Sequence, residues 1–251
     1  YWSQTHNGER MFVLVVGTAA ESKLVRKRFA ADFLRGPVVL RPPNSKFQIP
    51  STQRFTALPM WGDFVRLCFG LPAIGWNDPR LAALDVVNGV FGRDETSHLW
   101  ERIRGQGLSY STESFVDCFS DSGWLGVISD APVDQAGEVV AIVKEEIATL
   151  AERLTEDELE RARASQIARI RNDQLAAPLE WAKYQAMYGY FLGRVPTVDQ
   201  VVRELERVTL TDARAIASDL LHLDRLVLAA GGPQPSLAAC ERAFLTQHTP
   251  A

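Results

Sequence analysis

The stretch Leu99-Trp-Glu-Arg-Ile-Arg-Gly-Gln-Gly-Leu-Ser-Tyr110 decides how this chain is read. It closes a short helix expected over 96–104 and passes through the glycine-punctuated Gly105-Gln106-Gly107. It then enters a strand expected over 108–119. Glycine takes the left-handed conformations that end helices at little steric cost, so the chain can reverse here. Arg104 thus ends the helix and Tyr110 lies on the next strand, past the two glycines.

Working outward, Asp78-Pro79 opens a helix whose apolar residues Leu81, Leu84, Val87, Val90 and Phe91 form one stripe. Two strands precede it, Phe55 to Pro59 and Asp63 to Leu71; in the second, Val65, Leu67, Phe69 and Leu71 share a face. Downstream, the turn Ser120-Asp121-Ser122 leads to a strand from Gly123 to Ser129. Helices then dominate: 133–154, one begun by the capping box Thr155-Glu-Asp-Glu158 and running to about Asp173, 178–192, one capped by Thr197, and 211–221. Arg225 to Ala230 reads as a last strand closed by Gly231-Gly232. Strands and helices segregated in this way predict an α+β fold, a mixed or antiparallel sheet packed by a layer of helices.

Before this domain, the continuous β-branched run Met11 to Val16 and the helical pattern Glu21 to Leu34 predict a strand-helix remnant. The expected division is the end of a preceding domain at 1–36, a linker at 37–50 and one domain at 51–251. The linker is stiffened by Pro37, Pro42, Pro43 and Pro50. A chain that starts at Tyr1 and enters a strand so soon is expected to be part of a longer polypeptide.

The composition, 46% hydrophobic and 23% charged, is that of a globular protein. A net charge of -4 provides no electrostatic footprint for nucleic acid or an acidic lipid surface. No apolar run is long enough to span a bilayer. The three cysteines, Cys68, Cys118 and Cys240, are widely spaced and form neither a disulfide framework nor a metal-binding pair.

The strip Leu99–Tyr110 resembles the C-terminal active-site strip of pitrilysin/insulinase-type zinc metallopeptidases, closest to the presequence-protease branch. There a Leu-Trp precedes Ile-Arg-Gly-x-Gly-Leu-Ala-Tyr; Ser109 replaces the usual alanine. The charged helix starting at Thr155 and the apolar helix before the strip agree with that family. The resemblance implies a clamshell whose N-terminal half carries a His-x-x-Glu-His zinc motif. Its C-terminal half closes over the substrate and contributes an arginine and a tyrosine, here Arg104 and Tyr110. The resemblance further implies Gly105, Gly107 and Leu108 as adjoining substrate-binding positions. The implied cofactor is zinc, bound by the N-terminal half of the same polypeptide, with none on this chain. The implied compartment is the mitochondrial matrix or the cytoplasm.

The chemistry suits those residue types. A tyrosine hydroxyl donates to an oxygen that develops charge, and arginine offers a fixed fork of donors to peptide carbonyls. Two look-alikes of the zinc motif, His6-Asn-Gly-Glu-Arg10 and His98-Leu-Trp-Glu-Arg102, have an arginine where the second histidine should be. Arginine stays protonated and does not coordinate zinc, so no metal ligand is assigned. His98 is expected on a helix surface or at its start. A Cys118–His98 nucleophilic pair has no local support. The leading functional expectation is a substrate-binding, chamber-closing half of an endopeptidase acting on unstructured peptides, inactive in isolation. The alternative is a non-catalytic structural or regulatory homologue.

Overall fold

The alternating run from Phe64 to Ala73 supplies the spine of the fold. In the computed structural model, which describes residues 14–32 and 54–246, this run is a strand whose Val65, Leu67, Phe69 and Leu71 are buried. The described residues group into two units, 14–32 with 168–201 and 54–167 with 202–246.

The larger unit is built on a five-stranded sheet: β1 (Phe55–Pro59), β2 (Phe64–Ala73), β3 (Ser111–Cys118), β4 (Gly123–Pro132) and β5 (Val227–Gly232), in the order β1-β5-β2-β4-β3. β2 pairs antiparallel with β4 from Phe64↔Pro132 to Ala73↔Gly123, and β3 pairs antiparallel with β4 from Ser111↔Asp130 to Cys118↔Gly123. β1 and β5 run parallel, which makes the sheet mixed. The α+β expectation therefore holds.

One sheet face is covered by helices. α2 (Leu81–Asn88; α1, Ala19–Asp32, lies in the smaller unit) loosens at its end into a wide π-type turn, Gly89–Arg93. Gly92 lies so close to Leu99 and Ser114 that a Cβ would sit 2.9 Å and 2.8 Å from their side chains, so only glycine fits. α3 (Ala136–Arg153) lies on β2 and β4, burying Val139, Val140, Val143, Ile147 and Leu150 along one stripe. Each such side chain contributes roughly 1.5–3 kcal/mol of transfer free energy. α4 (Glu156–Ala176) follows, part of this unit through Ile167. Its entry is the expected capping box: Thr155 donates its N–H and hydroxyl to Glu158 at 2.8 and 2.7 Å.

In the smaller unit α1 (Ala19–Asp32) occupies most of the expected helix. Of the strand expected over 11–16, residues 11–13 lie outside the described residues, while Leu14–Val16 are exposed and form no strand. The proline-rich linker at 37–50 also lies outside the described residues. α5 (Pro178–Leu192) begins and ends where its sequence predicts, with Gly193 left-handed at φ 64° as its stop. Trp181, Tyr184 and Tyr188 form a ring ladder along it with centroid spacings of 5.6 and 5.0 Å, and Arg194 lies over Tyr188.

α6 (Val198–Glu206) leads back to the larger unit, where α7 (Leu210–Leu220) packs on α2 and α3. α8 (Gln234–Leu245) was not anticipated, although Leu237, Cys240 and Phe244 have helical spacing and are buried. Its terminus is held by Lys144 of α3. The Lys144 ammonium donates to the carbonyl oxygens of Ala243, Phe244 and Thr246 at 2.8, 2.6 and 2.7 Å. A cation suits the negative end of a helix dipole, and those carbonyls have no partners within the helix. Lys144→Met keeps the stem and deletes three charge-assisted donors. It is expected to lower stability by about 2 kcal/mol in urea unfolding, with little change in helix content by circular dichroism.

Candidate functional site

His98 and Arg102 are four residues apart, which places them on one side of a helical turn. The turn is tight at His98-Leu99 and wide over Trp100–Arg104. Leu99 and Ile103 are fully buried next to that side. Arg104, two residues from Arg102, points elsewhere and is exposed.

The side carrying His98 and Arg102 closes on Glu146, a carboxylate of α3 whose side chain is 0% exposed. His98 Nδ1 bonds Glu146 Oε1 at 2.5 Å, and Arg102 donates to Glu146 Oε2 at 3.0 Å. Arg102 also reaches Glu145 at 2.6 Å, and Arg153 lies 4.0 Å from Glu146. The other ring nitrogen of His98 bonds Glu158 Oε1 at 2.8 Å, while the second oxygen of Glu158 caps Thr155. His98 is thus a largely buried bridge between α3 and α4, not the surface or capping residue expected from sequence.

The charges tune one another. Burial works against ionised Glu146, but its contacts with His98 and Arg102 prevail and hold the carboxyl below its ordinary range. Glu158 is likewise held down by Thr155 and His98 against its partial burial. The bond from Glu146 raises the His98 imidazole above its ordinary value, outweighing its own burial.

From this anchored turn the chain reverses. Gly105 N–H donates to Trp100 O, Gly107 N–H to Arg104 O and Leu108 N–H to Ile103 O, at 2.8, 3.1 and 3.0 Å. Gly107 takes φ +73°, a conformation that side chains rarely adopt. The strand expected from Leu108 starts at Ser111, although Tyr110 N–H already donates to Asp130 O at 2.7 Å.

Ser109, where the resembling family has alanine, is buried within a hydroxyl chain. With one proton per hydroxyl, Thr112 donates to Ser129 (2.8 Å) and Ser129 to Ser109 (2.9 Å). Ser109 then donates to the carbonyl of Ser111 or Asp130, at 2.7 or 2.8 Å. Arg104 and Tyr110 flank these anchored residues. Tyr110 is 63% exposed, and neither its hydroxyl nor the Arg104 guanidinium is engaged by another described residue. Gly105 and Gly107 are exposed between them, and Leu108 is half-buried.

The sheet face opposite the helices continues from the strip. Asp130, opposite Ser111 in register, forms a two-pronged ion pair with Arg66, both contacts at 2.7 Å. Arg66 in turn lines a concavity of about 230 Å³ with Leu58, Met60, Trp61 and Phe64. Trp61 is fully exposed. Sequence reading did not single out this surface, although the alternation of β2 leaves Phe64 and Arg66 opposite its buried set.

The surroundings of His98 do not suit a zinc ion. Each ring nitrogen of His98 already faces a carboxylate, and Arg102 occupies the place of the second histidine. Among the described residues no group of three or more His, Cys, Asp or Glu is arranged to hold a metal. Burial pushes the Cys118 thiol up to about 12, so it stays protonated and His98 is committed elsewhere.

The family profile described as the peptidase M16 inactive domain matches residues 1–166. The chain belongs to the peptidase M16 family. An uncharacterised zinc protease of Streptomyces coelicolor is 26% identical over 232 residues, 88% of this chain and 50% of that protein. The mitochondrial-processing peptidase subunit beta of Dictyostelium discoideum is 20% identical, over 92% of this chain and 52% of that protein. The chain thus spans about half the length of the curated relatives it matches. The fold is shared with a peptidase M16 inactive domain from Pseudomonas fluorescens (TM-score 0.70, 16% identity, 87% of this chain and 52% of that one). It is also shared with a chain of complex III from Candida albicans (TM-score 0.71, 14% identity, 89% and 55%).

Glu146→Gln would keep the shape but remove the charge shared by His98 and Arg102. It is expected to cost on the order of 3 kcal/mol in denaturant unfolding, because His98 and Arg102 lose the buried charge they share and keep only the more exposed Glu158 and Glu145. An exposed carboxylate such as Glu101, changed to Gln, should cost under about 0.5 kcal/mol.

Proposed function

We propose that this chain is the substrate-binding, chamber-closing C-terminal half of a zinc-dependent endopeptidase that degrades unstructured peptides. The observation that carries the reading is the contrast within one strip. Arg102 and Ser109 are spent on internal contacts, while Arg104 and Tyr110 project uncommitted on either side of an exposed glycine turn. An internal structural role would leave them no reason to differ from their neighbours, which weighs against a non-catalytic homologue.

In this reading Arg104 forks onto backbone carbonyls of a bound peptide, and Tyr110 donates its hydroxyl to the oxygen that gains charge as the peptide bond is attacked. Gly105, Gly107 and Leu108 let the peptide backbone come close. A folded substrate has its carbonyls already paired, so the strip selects chains whose backbone is free. Zinc belongs to the N-terminal half of the same polypeptide, and the names of the curated relatives support a zinc enzyme. The division into a preceding domain (1–36), linker (37–50) and C-terminal domain (51–251) is part of the same proposal. Likeness to the presequence-protease branch rests on the strip alone. A location of the parent in the mitochondrial matrix or the cytoplasm is proposed on the resemblance alone. No helix among the described residues is long and apolar enough to cross a membrane.

In the complete protein, Tyr110→Phe and Arg104→Ala are each expected to lower kcat/KM for an unstructured peptide by about a hundredfold with unchanged unfolding curves. Wild-type turnover in both variants contradicts the assignment. The isolated chain is expected to hydrolyse no peptide and, after dialysis, to retain no stoichiometric zinc in metal analysis.

A further inference from the structure

We propose that His98 is a positioning residue whose ring, held between Glu146 and Glu158, makes the order of the Arg104–Tyr110 strip depend on a proton. Both ring nitrogens face carboxylate oxygens, at 2.5 and 2.8 Å. A protonated imidazole has an N–H for each. A neutral imidazole has only one, so its other nitrogen must turn a lone pair toward a carboxylate. No tautomer satisfies both contacts without the second proton.

The charged groups around the ring are Glu145, Glu146 and Arg153 on α3, Glu158 on α4 and Arg102 on its own turn. Losing the His98 proton leaves Arg102 as the nearest cation to buried Glu146, and the one remaining ring N–H serves either Glu146 on α3 or Glu158 on α4, not both. That turn is the base of the strip: His98 opens the helical segment that Arg104 ends, and the amides of Gly105, Gly107 and Leu108 are bonded back onto it.

The direction in pH follows. His98 is raised above its ordinary 6.5, so its stabilisation is complete below 6.5 and is lost as pH rises through the raised value. Glu146 and Glu158 are lowered from 4.5, so their stabilisation is present above 4.5 and is lost only as pH falls through the lowered values. The grip is complete between these limits and loosens on the alkaline side.

The consequence for catalysis rests on the reading of Arg104 and Tyr110 given above; the structural effect does not, and the two are measured separately. In the full chain with isotope-labelled histidine, the His98 ring is titrated by NMR while exchange is followed at the Gly105, Gly107 and Leu108 amides, corrected for intrinsic pH dependence. Protection at those amides is expected to drop about tenfold over the same pH span in which the ring loses its proton. The step should vanish in His98→Gln, and protection should stay high in His98→Arg, whose charge is permanent. In the complete protein the alkaline fall of kcat/KM should move to higher pH in His98→Arg. Protection that is flat with pH in the wild type, or a step that persists in His98→Arg, overturns the proposal. If His98→Gln fails to fold, the wild type and His98→Arg decide the matter. Failure of the Arg104 and Tyr110 assignment shows differently, as undiminished turnover in their own variants.

Discussion

The buried carboxylate of Glu146 is the constraint on which the rest of the site depends. Removing an ion from water costs several kcal/mol even after relaxation, and Glu146 is wholly out of solvent. It is tolerated because His98 and Arg102 bring donors to both of its oxygens. Those donors sit one helical turn apart, so the requirement fixes where the turn Trp100–Arg104 rests on α3 and how it is rotated. Once that rotation is set, Leu99 and Ile103 fall into the core and Arg104 is left outside.

From that anchor the exposed chemistry follows by short steps. The wide turn ends at Gly105, Gly107 reverses the chain, and the Ser109 hydroxyl chain pins the next residues to β4. Arg104 and Tyr110 are therefore displayed from two fixed points rather than from a loose loop. Asp130 extends the surface: its carbonyl holds Tyr110, and its carboxylate holds Arg66 at the rim of the apolar concavity. A polar strip next to an apolar hollow on one open sheet face is a suitable surface for an extended peptide, whose backbone wants donors and whose side chains want cover.

Much of this was legible from residue order, and the limits have physical causes. Period-two burial in β2, the Thr155 capping box and the Pro178 helix start are local signals, and each element formed where its signal lies. The Arg104-glycine-Tyr110 reversal was legible for the same reason. What escaped was long-range pairing. His98 was expected at a surface because its partners lie 48 and 60 residues away, and nothing local announces that Glu146 is buried among the apolar residues of α3. α8 was overlooked because Gly231-Gly232 read as an ending, whereas Pro233 directly after them caps a helix whose far end depends on Lys144, 99 to 102 residues earlier. The open-face concavity exists only after β1, β5 and β2 have been brought side by side.

The central claim is that the Glu146 clamp displays Tyr110 toward a bound peptide, and site-specific crosslinking tests it most directly. A photoreactive phenylalanine analogue in place of Tyr110, in the complete protein, is irradiated with an unstructured peptide substrate, and the adduct is mapped by mass spectrometry. The account predicts a covalent adduct to the peptide backbone region that excess unlabelled peptide suppresses. It also predicts that the adduct weakens when Glu146→Gln loosens the clamp. Peptide that is still bound and cleaved, with no adduct from position 110, contradicts it.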